Sequence, residues 1–238
     1  MVDANLSRRA LETCCKVASN FGVPIWFEPV SVAKSRRISS VAQYVTIVSP
    51  NEDELISMAD DLCGDDAFST VKRDNCNVKS LISLCKEAAM VLLKKGIKIV
   101  AVTLGANGIL LCSRGSKYMN FSLSKAREGS AFKDIVSSSL PLSLSLEKLS
   151  PNEVASDFIV AHFPALPASV VRLTGAGDCF VGGTLASLSH GLNIMQSVAV
   201  GVAIAKAAVE ADTNVPSQFN LSAITADARQ VYSMARWL

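Results

Sequence analysis

With 238 residues, 50% of them hydrophobic and 18% charged, the chain has enough apolar material for one large α/β domain or two small ones, and disorder throughout is excluded. The 23 basic and 21 acidic residues leave a formal charge of +2, and aromatic residues make up 6%, so the basic excess and stacking surface of a nucleic-acid binder are both lacking. Seven cysteines without a CxxC pair, and two histidines far apart, argue against a zinc site and against a disulfide framework; reduced thiols in a cytoplasmic setting are expected. No apolar run approaches the roughly 18 residues of a membrane span.

The first helical pattern runs from Arg8 to Phe21, with Ser7 as N-cap and Gly22 as its stop. A short apolar strand, Val23 to Phe27, follows and ends at Glu28 and Pro29. Ser31 to Ser40 reads as a polar, basic loop with a short helix, and Tyr44 to Val48 as a second apolar strand. Glu54 to Leu62 continues as helix, residues 64–77 as a polar connection, and Val78 to Lys95 as an amphipathic helix closed by Gly96. Ile97 to Leu104 is predicted as a strand from its β-branched content, with a tight turn at Gly105 to Gly108 leading into another, Ile109 to Cys112. Strands alternating with helices imply a doubly wound, mainly parallel sheet with ligands beyond the carboxyl ends of its strands.

Residues 113–170 give no firm assignment. Leu/Ser alternation from Ser137 to Leu149 and four prolines (Pro141, Pro151, Pro164 and Pro167) mark them as an insertion or excursion. Phe180 to His190 and Met195 to Glu210 then read as core helices rich in small residues, and Ser222 to Trp237 as a terminal helix.

Thr174, Gly175, Ala176, Gly177 and Asp178 open the first of those helices. Small residues before a helix let the backbone approach a ligand, and the first helical N–H groups lack carbonyl partners, so a phosphate is a natural occupant. Asp178 in the first turn adds a carboxylate where an acceptor hydroxyl would lie, or it is simply an acid favoured by the helix dipole. No lysine follows the glycines as in a Walker loop, and Gly175, Gly177 and Gly182 lack the spacing of a dinucleotide fingerprint.

Asn51, Glu52 and Glu54 form either a helix-capping group or a site in which Asn51 bonds phosphate and Glu54 holds magnesium through water. Thr103, Gly105 and Gly108 are either a hairpin or phosphate contacts. Lys34, Arg36 and Arg37 are a solvated cluster or an anion contact. Cys179 is a small helix residue whose thiol a helix N-terminus would acidify. His190 reads as a C-terminal helix cation; His162 falls in the unassigned stretch. With two histidines and no nucleophile elbow, a Ser-His-Asp hydrolase is set aside.

The run from Thr174 to Phe180 resembles the closing signature of the ribokinase-like (PfkB) carbohydrate and nucleoside kinases. Asn51 to Glu54 resembles that family's N-x-x-E motif and Thr103 to Gly108 its T-L-G-x-x-G turn, in the family's order. Phe27 to Ser31, Lys34 and Ser49 to Leu55 look most like the members that phosphorylate pseudouridine. The resemblance implies a single ribokinase-like domain over residues 1–238 and ATP-dependent transfer to the 5′-hydroxyl of a nucleoside or sugar. Asp178 would be the base, Gly175, Ala176 and Gly177 an anion hole, and Thr174, Asn51, Thr103, Gly105 and Gly108 contacts to the nucleotide, with Mg2+ held through Glu54.

The family resemblance further implies room for a monovalent cation such as K+, a homodimeric state, and a link to a glycosidase acting on the phosphorylated product. No nucleic-acid or membrane partner is expected. Two departures stand out: Arg172 replaces a usual acidic residue, and the family's N-terminal strands, Gly-Gly segment and lid have no counterpart before Asp3 and Asn5, which resemble the D-x-N that follows them. A weakly active or inactive nucleotide-binding fragment is the alternative expectation.

Overall fold

A computed structural model describes residues 1–64, 66–68, 77–123, 131–140 and 157–238. The chain forms two compact units, the first Met1–Leu104 with Leu110–Arg114, the second Gly105–Ile109 with Gly115–Leu238.

Unit 1 carries β1 (Val2–Asp3), β2 (Trp26–Glu28), β3 (Ile47–Val48), β4 (Ile99–Thr103) and, all but its first residue, β5 (Ile109–Ser113), neighbours in that order. The first four are parallel, with Val2 beside Phe27, Trp26 beside Ile47 and Ile47 beside Ile99. Parallel neighbours need long crossovers. Here α1 (Arg8–Asn20) joins β1 to β2; α2 (Val32–Ser35) with two 3-10 turns joins β2 to β3; α3 (Glu52–Cys63) and α4 (Val78–Lys94) join β3 to β4. Strand residues Phe27, Val48, Ile99 and Val100 are wholly buried, as are Leu11, Leu55, Met58, Leu92 and Leu93 from the helices, the continuous apolar filling that a covered parallel sheet requires. The helix ends follow from sequence: the Ser7, Asn51 and Asn77 side chains each accept an N–H of the first turn, and Gly64 closes α3 in the left-handed conformation.

Unit 2 contains α5 (Ala131–Ser139), β6 (Ile159–Phe163), α6 (Ala176–Ser189), α7 (Ile194–Val209), α8 (Leu221–Met234) and β7 (Arg236–Trp237), which pairs antiparallel with β6. Helices α6 and α7 approach closely because glycines face the contact. A Cβ on Gly201 would lie 2.2 Å from Thr184 Oγ1 and 2.8 Å from the Phe180 carbonyl oxygen; one on Gly183 would lie 2.7 Å from Ile204 Cδ1. The buried hydroxyls at this contact are absorbed within α6, where Thr184 donates to the Phe180 carbonyl and Ser187 to that of Gly183.

Several predicted bounds shift, each for a hydrogen-bonding reason. The strand expected from Val23 begins at Trp26, since the Val23 amide caps α1 at the Ala18 carbonyl, Pro24 has no N–H, and the Ile25 amide goes to Thr46 Oγ1. The strand expected from Tyr44 begins at Ile47, because Tyr44 closes a 3-10 turn onto Val41. The terminal helix stops at Met234 and the chain turns into β7. Val2–Asp3, where no element is predicted, is a strand, and residues 113–170, which carry no predicted element, include α5 and β6. Pro141, Pro151, most of the Leu/Ser stretch and most of the 64–77 connection lie outside the described residues.

Replacing Gly201 by leucine should push α7 off α6 and lower unfolding stability by about 1–3 kcal/mol. Gly182→Ala, where nothing lies within 4 Å of the added methyl, should be neutral or stabilising. Urea unfolding of the two variants checks the contrast.

Candidate functional site

In unit 2 the Thr174–Asp178 segment opens α6 through a constrained glycine. Gly175 is the N-cap, at φ 91°, and a Cβ there would lie 2.0 Å from the carbonyl oxygen of Asn214. Only glycine satisfies both conditions. The preceding segment is strapped to the end of α7 by the amides of Val171 and Arg172, both bonded to the Val209 carbonyl, and Arg172 Nη1 donates to Asn214 Oδ1 at 3.3 Å.

The helix starts when the Cys179 amide bonds the Gly175 carbonyl at 2.9 Å. The Ala176 amide turns back to the Leu173 carbonyl at 3.3 Å, while those of Gly175, Gly177 and Asp178 make no hydrogen bond among the described residues. Of the anion hole expected from the sequence, Gly175 and Gly177 thus keep N–H groups without a hydrogen bond among the described residues, and Ala176 does not. The Asp178 carboxylate is exposed, makes no cap and has no bonded partner among the described residues. Cys179 departs from expectation: burial first, and then the neighbouring Asp178 carboxylate, hold its thiol above the ordinary value, so the helix N-terminus does not acidify it.

The Gly105–Gly108 turn belongs to the same unit. Gly105 (φ 54°) is exposed; Gly108 (φ 87°) is buried, its amide bonded to the Gly105 carbonyl, and a Cβ on it would lie 2.0 Å from the Phe163 carbonyl oxygen. His162 Nε2 lies 2.7 Å from the Asn107 carbonyl oxygen, and since a carbonyl only accepts, that nitrogen carries the proton.

Unit 1 brings Asn51, Glu54 and Thr103 together at the carboxyl ends of β3 and β4: the Thr103 amide bonds the Pro50 carbonyl at 2.9 Å, and Asn51 and Thr103 form a parallel bridge. Asn51 and Glu54 form a full capping box, Oδ1 accepting the Glu54 amide and Glu54 Oε2 accepting the Asn51 amide, both at 2.9 Å. Glu54 is 6% exposed. Burial raises its pKa, the Asn51 amide partly opposes this, and Asp53 adds to the rise. Its Oε1 takes no hydrogen bond from the described residues, so the carboxylate fits a water-mediated hold on magnesium while Oε2 stays in the box. Among the described residues no group of three or more His, Cys, Asp and Glu side chains stands ready to enclose a metal, a cage that a largely hydrated magnesium does not need.

The basic cluster is structural. Lys34 Nζ donates to Asn5 Oδ1 and Arg37 Nη1 to the carbonyls of Ala4 and Leu6, all at 2.6 Å, and Arg36 Nε donates to Ser57 Oγ at 3.0 Å. Three features carried no sequence signal. Trp26 Nε1 donates to Ser49 Oγ, which donates to Glu28 Oε2, at 2.6 and 2.5 Å. Val30 holds φ 68°, strained for a β-branched residue, with the Ser31 amide bonded to Pro29. Asn214, 39 positions beyond Gly175, forms the wall against that glycine.

The class follows from these motifs and from comparison. Residues 1–122 and 157–216 match the model of the pfkB family of carbohydrate kinases, and the chain belongs to that family. It is 52% identical, over 242 aligned residues, to the pseudouridine kinase of Arabidopsis thaliana; the match covers 100% of this chain and 63% of that protein. The chain thus spans less than two thirds of that relative's length. Among solved structures, ribokinase from Cryptococcus neoformans var. grubii in complex with ADP aligns with TM-score 0.61 and 18% identity over 94% of this chain and 59% of its own. Arabidopsis thaliana ribokinase complexed with ribose and ATP aligns with TM-score 0.59 and 18% identity, over 95% and 54%. The fold is ribokinase-like, and no helix among the described residues is long and apolar enough to cross a membrane.

Gly175→Ala should cost about 1–2 kcal/mol from the left-handed backbone alone, and more from the clash with Asn214. Gly177→Ala, with open space around its Cβ, should cost less than about 0.5 kcal/mol. Denaturant midpoints of the two variants test the constraint at the cap.

Proposed function

We propose that this chain is the nucleotide-side portion of an ATP-dependent kinase that phosphorylates the 5′-hydroxyl of a nucleoside, pseudouridine. The observation that carries the reading is the pairing at the start of α6: unclaimed N–H groups of Gly177 and Asp178 beside an exposed Asp178 carboxylate with no bonded partner among the described residues. The choice of pseudouridine rests on the 52% identity to the Arabidopsis enzyme.

Phosphoryl transfer asks the protein chiefly for positioning and for stabilisation of charge on the transferred group. The N–H groups of Gly175, Gly177 and Asp178, with the helix dipole behind them, act on that charge. Asp178 accepts the proton of the attacking hydroxyl, which raises its nucleophilicity as the bond to phosphorus forms. Within unit 2, Thr174, Gly105 and Gly108 contact the nucleotide. Glu54 would hold a magnesium ion through one of its waters, and that ion would supply positive charge to neutralise the phosphates.

A second reading, carried by the 63% span of the relative, is nucleotide binding with weak transfer or none. One experiment separates the two: incubation with ATP, magnesium and pseudouridine, followed by quantification of the 5′-phosphate. Transfer that falls by about 10²–10⁴-fold in Asp178→Asn supports the kinase reading. That variant should change stability by less than about 1 kcal/mol, because the carboxylate contributes only its interaction with the helix dipole. Absence of transfer with retained binding of ATP, measured by calorimetry, favours the second reading.

A further inference from the structure

His162 lies on β6, 6% exposed. Its Nδ1 is buried without a hydrogen-bond partner among the described residues, so its one polar contact is the bond from Nε2 to the Asn107 carbonyl. Asn107 is the residue before Gly108, and Gly108 presses so closely on the residues after His162 that a Cβ would meet the Phe163 carbonyl oxygen at 2.0 Å and the Ala165 amide at 2.7 Å. Steric contact and hydrogen bond thus fix the same peptide group from adjacent positions of one strand.

We propose that His162 is a positioning residue for the nucleotide: by holding the Asn107 carbonyl it fixes the orientation in which the Gly105–Gly108 turn presents its backbone to a bound nucleoside di- or triphosphate. The inference rests on the reading of that turn as a nucleotide contact. Its chemical requirement is a neutral donor at the position of Nε2, with no need for charge or for proton transfer. Glutamine reaches that position with an amide N–H. Asparagine is too short to reach it, and leucine fills the space without a donor.

The test is calorimetric titration with ADP and magnesium of the chain and its His162→Gln, His162→Leu and His162→Asn variants, each also followed by urea unfolding. The expected result is binding within about threefold of the unaltered chain for His162→Gln, and a dissociation constant raised about fivefold to tenfold for His162→Leu. If His162→Leu does not fold, the Gln and Asn variants decide: tight binding by the first and weak binding by the second supports the positioning role. Equal ADP affinity in all folded variants overturns it, and so does equal weakening in Gln and Leu. Failure of the unaltered chain to bind ADP instead removes the nucleotide reading of the turn, and this inference with it.

Discussion

At Gly175 the carbonyl oxygen of Asn214 stands where any side chain would begin. That contact forces a left-handed glycine at the N-cap of α6, and the cap conformation sends the Ala176 amide back to Leu173 and leaves those of Gly177 and Asp178 without carbonyls. The rest of unit 2 keeps this start in place. Glycines at 183 and 201 bring α7 onto α6, the Val209 carbonyl at the end of α7 ties down the incoming chain, and the loop after α7 supplies Asn214 itself. A helix N-terminus with unfilled donors is common to all helices. What distinguishes this one is that no side-chain cap fills them, whereas Ser7, Ser31, Asn51, Asn77, Asn193 and Asn220 cap six others.

Much of this was legible in the sequence because it depends on local chemistry. Caps such as Ser7, stops such as Gly22 and Gly96, and the small residues before Asp178 announce themselves within a few positions. What depended on distant partners was not legible. Thr46 Oγ1 claims the Ile25 amide from 21 positions away and shortens a strand; His162 reaches Asn107 across 55 positions; β7 exists only because β6 offers it an edge. Two-residue strands such as β1 and β3 are too short to show any period of their own.

The bland and the functional readings of a motif are not always rivals. Asn51 and Glu54 form the capping box that the structural reading expects, and the box leaves Glu54 Oε1 without a hydrogen bond among the described residues. The basic cluster departs from the solvated surface expected of it: Lys34, Arg36 and Arg37 staple the segments that follow β1 and β2 to their neighbours. The two cases differ in how many polar atoms remain after the protein's own hydrogen bonds are counted.

The central claim, that the start of α6 receives the transferring phosphoryl group, is tested most directly by following backbone amide ¹⁵N shifts during titration with ADP, magnesium, fluoroaluminate and pseudouridine. The expected result is that the largest changes fall on Gly175, Gly177 and Asp178 and that Ala176, whose N–H is already engaged, moves less. Saturable binding with those three amides unmoved would contradict it.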